Sequence, residues 1–343
     1  MPRILALLTA AVVVVAGLTG CQAKDEMVIA FLLASDQSPR WTSMDGPSFA
    51  AYVDANCRDC VYVTANAGGD PDKQARQFAD ALDRGADVVV LNAVNGDVGE
   101  QLVADADKAG VPVVAYDRFV PGAAYYVSYD AGAIGRQMAQ AVVERVPAKA
   151  SVLLINGAQS DANGIAIKRA VHRVLDGSGI KIVAELDPQT WSAEEAGGWL
   201  RNQLADHPVA GIDAVIAAND LQAGGVAGTL TSEKVRPSAW PVVTGQDADL
   251  EALQRIVLGQ QTLTVFKSFP REAEKAAEVA VALVAGEKVT SEREEEGVPA
   301  FVFQPLVVTI DNLTDTVVKD GIVTLEDICQ GATVAACTEL GLR

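Results

Sequence analysis

Histidine and cysteine are scarce in this chain. Its 343 residues include two His (His172 and His207) and five Cys, which supplies a zinc site poorly. Positive charge is outnumbered: 27 Lys and Arg against 45 Asp and Glu give a net charge of −18. No basic stripe is left to track phosphates, which excludes nucleic acid as a partner. The acidic balance speaks for solubility and says little about fold. Gly-x-Gly-x-x-Gly after a strand, a Walker sequence, an EF-hand run and a Gly-x-Ser-x-Gly elbow are all missing. No cofactor and no metal are therefore expected. Beyond the N-terminus no apolar run reaches membrane length.

What is present begins with a processing segment. Arg3 precedes an apolar run, Ile4 to Gly17, that is short for a spanning helix. It ends in Leu18-Thr19-Gly20-Cys21, which looks like a bacterial lipobox. Residues 1–20 are read as a lipoprotein signal peptide. Cys21 would then carry the lipid that holds the chain at the outer face of the cell membrane. The alternative is an ordinary signal peptide with an incidental Cys. Cys57, Cys60, Cys329 and Cys337 remain, and an even number in an exported chain favours two disulfides. The parsimonious pairing is local, Cys57–Cys60 and Cys329–Cys337. Cys57-Arg58-Asp59-Cys60 could instead be a redox motif or half a metal site. A thioredoxin-like motif opens a helix after a strand, however, whereas this one closes a helix and enters a strand.

The body of the chain alternates strand and helix. Met27–Leu33 is a continuous apolar run of the kind that forms a buried parallel strand. Pro71–Arg84 reads as a helix with Asp70 as N-cap and Pro71 at its first position, and Asp97–Ala109 as one closed by Gly110. A second half restarts at Ala150 with the same rhythm. Lys288–Val298 reads as a charged surface loop, Val302–Ile310 as containing a late strand, and the tail after Gly321 as an addition pinned by Cys329 and Cys337. The alternation argues for an α/β fold with parallel sheets and helices on both faces. Gly197-Gly198 and Gly224-Gly225 lie inside helices and suit close helix–sheet packing.

The informative residues follow the strands. In open α/β sheets, ligands bind beyond the carboxyl ends of the strands. The first half offers Arg40-Trp41 and Asp117-Arg118. The second offers Asp161 and Asn163, Asn219-Asp220 and Asp247, with Lys267 after a later strand. A carboxylate accepts from two hydroxyls and a guanidinium donates in a planar fork, so Asp117 and Arg118 together can read a vicinal diol; the bland alternative is an exposed ion pair. Trp41 and Trp191 lie one per half in or beside strand-to-helix loops, where an indole face suits the C–H face of a sugar ring. The bland alternative is packing, and Trp199 and Trp240 are read that way. Asp249 is read as the cap of the following helix.

At these residues a resemblance emerges. Ala115-Tyr116-Asp117-Arg118, Ala218-Asn219-Asp220-x-x-Ala223-Gly224-Gly225, Gly245-Gln246-Asp247-Ala248-Asp249-Leu250 and Thr262-x-Thr264-Val265-Phe266-Lys267 together resemble the periplasmic D-xylose-binding proteins of ABC importers, over roughly Met27 to Gly321. Ser268 stands where that family usually has Pro. The resemblance implies two Rossmann-like lobes of the type I periplasmic-binding-protein fold, joined by a three-segment hinge. The N-terminal lobe would be 27–129 plus about 267–303, and the C-terminal lobe 130–266 plus about 304–320, with 321–343 as the tail. Carried over residue by residue, the implied sugar ligands are Arg40, Trp41, Asp117, Arg118, Asp161, Asn163, Trp191, Asn219, Asp220, Asp247 and Lys267, with Trp41 and Trp191 sandwiching the ring. The implied function is capture of a monosaccharide by a monomeric, lipid-anchored protein that docks on an ABC permease, without catalysis. The competing readings are a sensor that presents sugar to a membrane receptor, a glycosidase using Asp117 and Asp247, and a transcription regulator of the same fold. The export signal and the absence of a basic head argue against the last.

Overall fold

The computed structural model describes residues 26–36, 38–291 and 293–343. Cys21 and the signal segment lie outside them. In chain order come β1 (Met27–Leu33), α1 (Gly46–Asn56), β2 (Cys60–Asn66), α2 (Pro71–Asp83), β3 (Val88–Leu91), α3 (Gly96–Ala109), β4 (Val113–Tyr116) and β5 (Tyr125–Tyr129). They are followed by α4 (Ala131–Val143), β6 (Ser151–Ile155), α5 (Ala162–Asp176), β7 (Lys181–Leu186), α6 (Ala193–Gln203), β8 (Ala214–Ala217), α7 (Asp220–Ser232), β9 (Val242–Val243), α8 (Leu250–Val257) and β10 (Thr264–Phe266). The last stretch holds α9 (Phe269–Val284), β11 (Arg293–Glu295), β12 (Val298–Phe303), β13 (Leu306–Val308) and two tail helices, α10 (Leu325–Ile328) and α11 (Val334–Glu339).

Two sheets result. One runs β11-β12-β5-β4-β3-β1-β2 and is parallel apart from the β11–β12 pair. The other runs β7-β6-β8-β9, all parallel. Beside it β10 and β13 pair antiparallel, tied in through a bridge between Gln246 and Val265. The central strands β3, β4 and β8 are buried along their whole length and are built of Val, Leu, Ile, Ala and Tyr, as strands covered on both faces require. Helix starts follow the caps: Asp70, Asn95, Asp130, Asp161, Ser192 and Asn219 each accept a backbone N–H from the first turn of the helix they precede.

The chain passes between the sheets three times, from β5 to α4, from β10 to α9 and from β12 to β13. These crossings are tied to one another. Tyr129 Oη donates to Ser268 O (3.2 Å) and accepts from the Ser268 N–H (2.8 Å). The Asp130 N–H donates to Phe303 O (2.9 Å), and Gln137 Nε2 donates to Pro305 O (3.0 Å).

Four expectations are corrected. The charged stretch 288–298 is not only a loop: Arg293–Glu295 pairs with β12 as a hairpin, its charges suiting an edge strand. The single late strand divides into β12 and β13 in different sheets, with Pro305, which has no N–H to donate, between them. One glycine of each pair serves helix-to-helix rather than helix-to-sheet packing: a Cβ on Gly225 would lie 2.1 Å from Ala193 O and one on Gly197 2.9 Å from Gly225 O, so α6 and α7 touch backbone to backbone. Asp249 precedes α8 without a side-chain cap bond.

Cys57 is joined to Cys60 and Cys329 to Cys337, with Cα–Cα distances of 5.3 and 5.8 Å. Cys329 and Cys337 are buried in an apolar cluster with Leu253, Val257, Val308 and Ile328, which fixes the tail against α8 and β13.

Candidate functional site

The carboxyl ends of the strands of the two sheets face one cavity of about 180 Å³. That is below the range of roughly 300–1,000 Å³ of clefts for drug-sized ligands. Ten of the eleven residues singled out in the sequence line it: Arg40, Trp41, Asp117, Arg118, Asp161, Asn163, Trp191, Asn219, Asp247 and Lys267. Asp220 is the exception. It opens α7 beneath the cavity floor, 1 % exposed, and accepts from Gln261 Nε2 (2.7 Å), Thr264 Oγ1 (2.9 Å) and the Asp249 N–H (3.1 Å). Its role is to hold the loop that carries Asp247, because the neighbouring helix position, Asn219, takes the cavity side.

Backbone geometry aims the acids. Asp117 and Asp247 have positive φ, 61° and 101°, a conformation uncommon outside glycine that gathers at functional sites. Each N–H is still held by the sheet, Asp117 by Val127 O and Asp247 by Val265 O. Asp161 and Asn219 are N-caps whose Oδ1 atoms are spent on the helix, from the Asn163 and Gln222 N–H groups respectively. That leaves Asp161 Oδ2 for Arg118 Nε (2.8 Å) and Trp191 Nε1 (3.2 Å), and Asn219 Nδ2 for the cavity.

Arg118 and Asp117 both line the cavity but are held by different partners. Arg118 Nη1 donates to Ala93 O and Val94 O and its Nε faces Asp161 across the cavity. Asp117 Oδ1 accepts from Arg40 Nη1 (3.1 Å), with Lys267 Nζ at 4.0 Å. Lys267 Nζ lies closer to Asp247 Oδ1, at 2.9 Å. Asn163 Nδ2 donates to Asp117 O (2.9 Å), a second bond from one half to the other.

Burial alone would raise the Asp117 carboxyl, but Arg40, Lys267 and Arg118 outweigh it and hold it below the usual range. Burial would lower the Lys267 ammonium, but Asp247 and Asp117 hold it above its ordinary value. Both groups are therefore charged near neutrality. A glycosidase acid must keep its proton, so Asp117, ionised and bound to Arg40, is a poor donor. Among the described residues no group of three or more His, Cys, Asp or Glu side chains could hold a metal ion.

The two indoles are both at the cavity. Trp41 begins a π-helical turn, Trp41–Asp45, that runs into α1, and is 6 % exposed with the Arg40 guanidinium 4.0 Å from its ring centroid. Trp191 rests on Gly157: a Cβ there would lie 2.2 Å from the indole Cη2. Trp240 Nε1 donates to Val235 O and Trp199 packs against the β6–β8 core, both away from the cavity.

Several residues at or behind the site were missed in the sequence. Gly157 follows β6, a strand-end position that could have been noticed. Tyr129 lines the cavity where the chain first crosses, and Gln246 precedes Asp247. Asp45, Tyr116 and Glu272 are buried behind Arg40; Tyr116 stands inside the Ala115–Arg118 motif, but Asp45 and Glu272 carry no local motif.

A profile of the periplasmic binding protein domain matches residues 29–288. The D-xylose-binding periplasmic protein of Haemophilus influenzae is 36 % identical over 278 residues, covering 78 % of this chain and 82 % of that one. The protein of the same description from Escherichia coli is 34 % identical over 271 residues, covering 76 % and 81 %. Among solved structures, an ABC transporter solute-binding protein from Clostridium phytofermentans with bound β-D-glucose superimposes with a TM-score of 0.77 at 22 % identity, covering 88 % of this chain and 99 % of that one. The myo-inositol-binding protein of Caulobacter gives 0.76 at 25 % identity, covering 90 % and 100 %. The fold is the two-sheet, type I arrangement, and the relatives are named for binding rather than catalysis. With the profile matched over most of its length and two relatives above 30 % identity covering most of both chains, this chain belongs to the periplasmic binding proteins, and within them to the family of D-xylose-binding periplasmic proteins.

Proposed function

We propose that this protein captures one monosaccharide, D-xylose or a related pentose or hexose, in the cavity between its sheets and delivers it to the permease of an ABC importer. Lipid on Cys21 would hold it, as a monomer, at the outer face of the cell membrane. The two lobes, 27–129 with about 267–303 and 130–266 with about 304–320, would close on the sugar about the three crossings. The observation that carries this reading is the convergence of Asp117, Arg40 and Trp41 from one side, and Asp247, Asn219, Asp161 and Trp191 from the other, on one small cavity. Charged acceptors and donors held in pairs can each bond a hydroxyl while their charges offset, which suits a neutral polyol. The indoles offer flat faces for ring C–H groups. A pentose has about ten heavy atoms, so a ceiling of about 1.5 kcal/mol per atom leaves room for a micromolar complex at roughly 8 kcal/mol.

The test is a thermal-shift screen against D-xylose, D-glucose, D-galactose, L-arabinose and D-ribose. At a thousandfold excess over the dissociation constant a ligand stabilises by about 4 kcal/mol, which raises the melting temperature by several degrees at roughly 2–4 °C per kcal/mol. A shift with one or two of these sugars supports the reading. No shift with any, in protein freed of co-purified ligand by unfolding and refolding, contradicts it.

A further inference from the structure

The guanidinium of Arg40 is held from behind the cavity. It has five N–H donors in a fixed fork. Nε donates to Asp45 Oδ2 (3.1 Å), and Nη2 to Asp45 Oδ1 (2.6 Å) and Glu272 Oε2 (3.2 Å). Nη1 donates to Asp117 Oδ1 (3.1 Å). Four of the five donors are thus engaged, and the remaining one is on Nη1, beside Asp117. The plane of the group is fixed as well, between the rings of Trp41 (4.0 Å) and Phe269 (3.6 Å).

Glu272 is the remote member of this set. It is 232 residues from Arg40, has no solvent exposure and is not part of the cavity wall. It lies in the first turn of α9, the helix entered directly after Lys267 and the second crossing. The same turn supplies Phe269. One turn of helix therefore gives both a face and an edge to Arg40, and places both one turn from the crossing.

We propose that Glu272 is a positioning residue for sugar binding: through Arg40 Nη2 it sets the rotation of the guanidinium so that the one remaining N–H, on Nη1, meets a ligand hydroxyl beside Asp117. The inference rests on the cavity's being a monosaccharide site. Burial and the nearby Asp117 charge raise the Glu272 carboxyl above the usual range, more than Arg40 and Lys267 lower it. One Glu272 oxygen, Oε2, accepts from Arg40, and a glutamine side chain offers the same acceptor.

The test compares the wild-type protein with Glu272→Gln and Glu272→Leu by titration calorimetry with D-xylose at neutral pH. A misdirected charge-assisted hydrogen bond to ligand costs about tenfold to a hundredfold in affinity. Glu272→Leu is expected to bind at least tenfold more weakly, and Glu272→Gln to recover most of that loss. A role confined to filling space predicts the reverse order of loss or none, since Leu also fills the site. If Glu272→Leu does not fold, Glu272→Met, with its adaptable side chain, is measured in its place. Affinity unchanged in the apolar variant overturns the inference, as does an equal loss in Gln and Leu. Failure of the wild-type protein to bind D-xylose or any sugar of the screen overturns the cavity reading itself, and the inference with it.

Discussion

Asp220 and Asp249 make the stability of the ligand-free protein depend on pH in a stated direction. Burial pushes the Asp220 carboxyl up to about 7, with Arg255 opposing and Asp247 adding to the rise. Burial, then Asp220, Asp247 and Glu251, push Asp249 to about 8. Two neighbouring acids, one buried and one half-buried, do not both ionise readily. Asp220 accepts three hydrogen bonds and opens α7, and both features favour its charged form. The proton therefore resides on Asp249. An unfolded Asp titrates near 3.9, so between about pH 4 and about pH 8 the native protein binds a proton that the unfolded chain lacks. Stability then rises as pH falls. One such proton is worth about 1.4 kcal/mol per pH unit, or about 2 kcal/mol between about pH 7.5 and about pH 6. At roughly 2–4 °C per kcal/mol that is several degrees of melting temperature. Thermal melts followed by circular dichroism at the two pH values should show the wild-type protein melting higher at the lower pH, and Asp249→Asn losing the part of the difference that its own proton supplies, with Asp220 and Glu272, whose carboxyls are also raised, keeping the rest. Equal melting of the wild-type protein at both values, or an unchanged slope in Asp249→Asn, would refute the assignment.

Other consequences can be measured with similar means. Gly157→Ala puts a methyl group 2.2 Å from the Trp191 ring and 2.8 Å from Gly164 Cα, so the indole must shift; sugar affinity measured by calorimetry should fall about tenfold or more, alongside the roughly 1–3 kcal/mol of an overpacked site. Gly225→Ala meets Ala193 O at 2.1 Å, a backbone atom that cannot swing aside; denaturant unfolding should show a loss of about 1–3 kcal/mol, with α6 and α7 forced apart. Replacing Cys329 and Cys337 by Ser opens a bridge spanning eight positions. The loop-entropy argument gives about 2–3 kcal/mol for so short a loop, and limited proteolysis should cut the tail of the variant before the rest of the chain.

The order of elements was legible because most strands are short apolar runs and most helices open on an Asp, Asn or Ser cap. Asp117, Asp161 and Asn219 could be named because a position just after a strand is a cavity position in this kind of sheet. Asp220 could not be told from Asn219, since one residue of helix rotation separates the cavity side from the floor. The strand at Arg293–Glu295 was hidden because an edge strand pairs through its backbone and carries charge where a buried strand carries Val or Leu. Gly197 and Gly225 were recognised as close-packing residues, but their partners lie on another helix and no local pattern names them. The set of Asp45, Tyr116 and Glu272 around Arg40 is assembled from three distant parts of the chain, and only the tertiary fold brings it together.

The most direct test of the central claim is calorimetric titration of D-xylose into the protein, beside Trp191→Ala and Asp247→Asn. The account predicts one site per chain with a micromolar dissociation constant, about 8 kcal/mol, and weaker binding in both variants. Binding unaffected by either substitution would place the site elsewhere. No heat with D-xylose, nor with D-glucose, D-galactose, L-arabinose or D-ribose, in protein freed of bound ligand would contradict the claim that this cavity is a monosaccharide site.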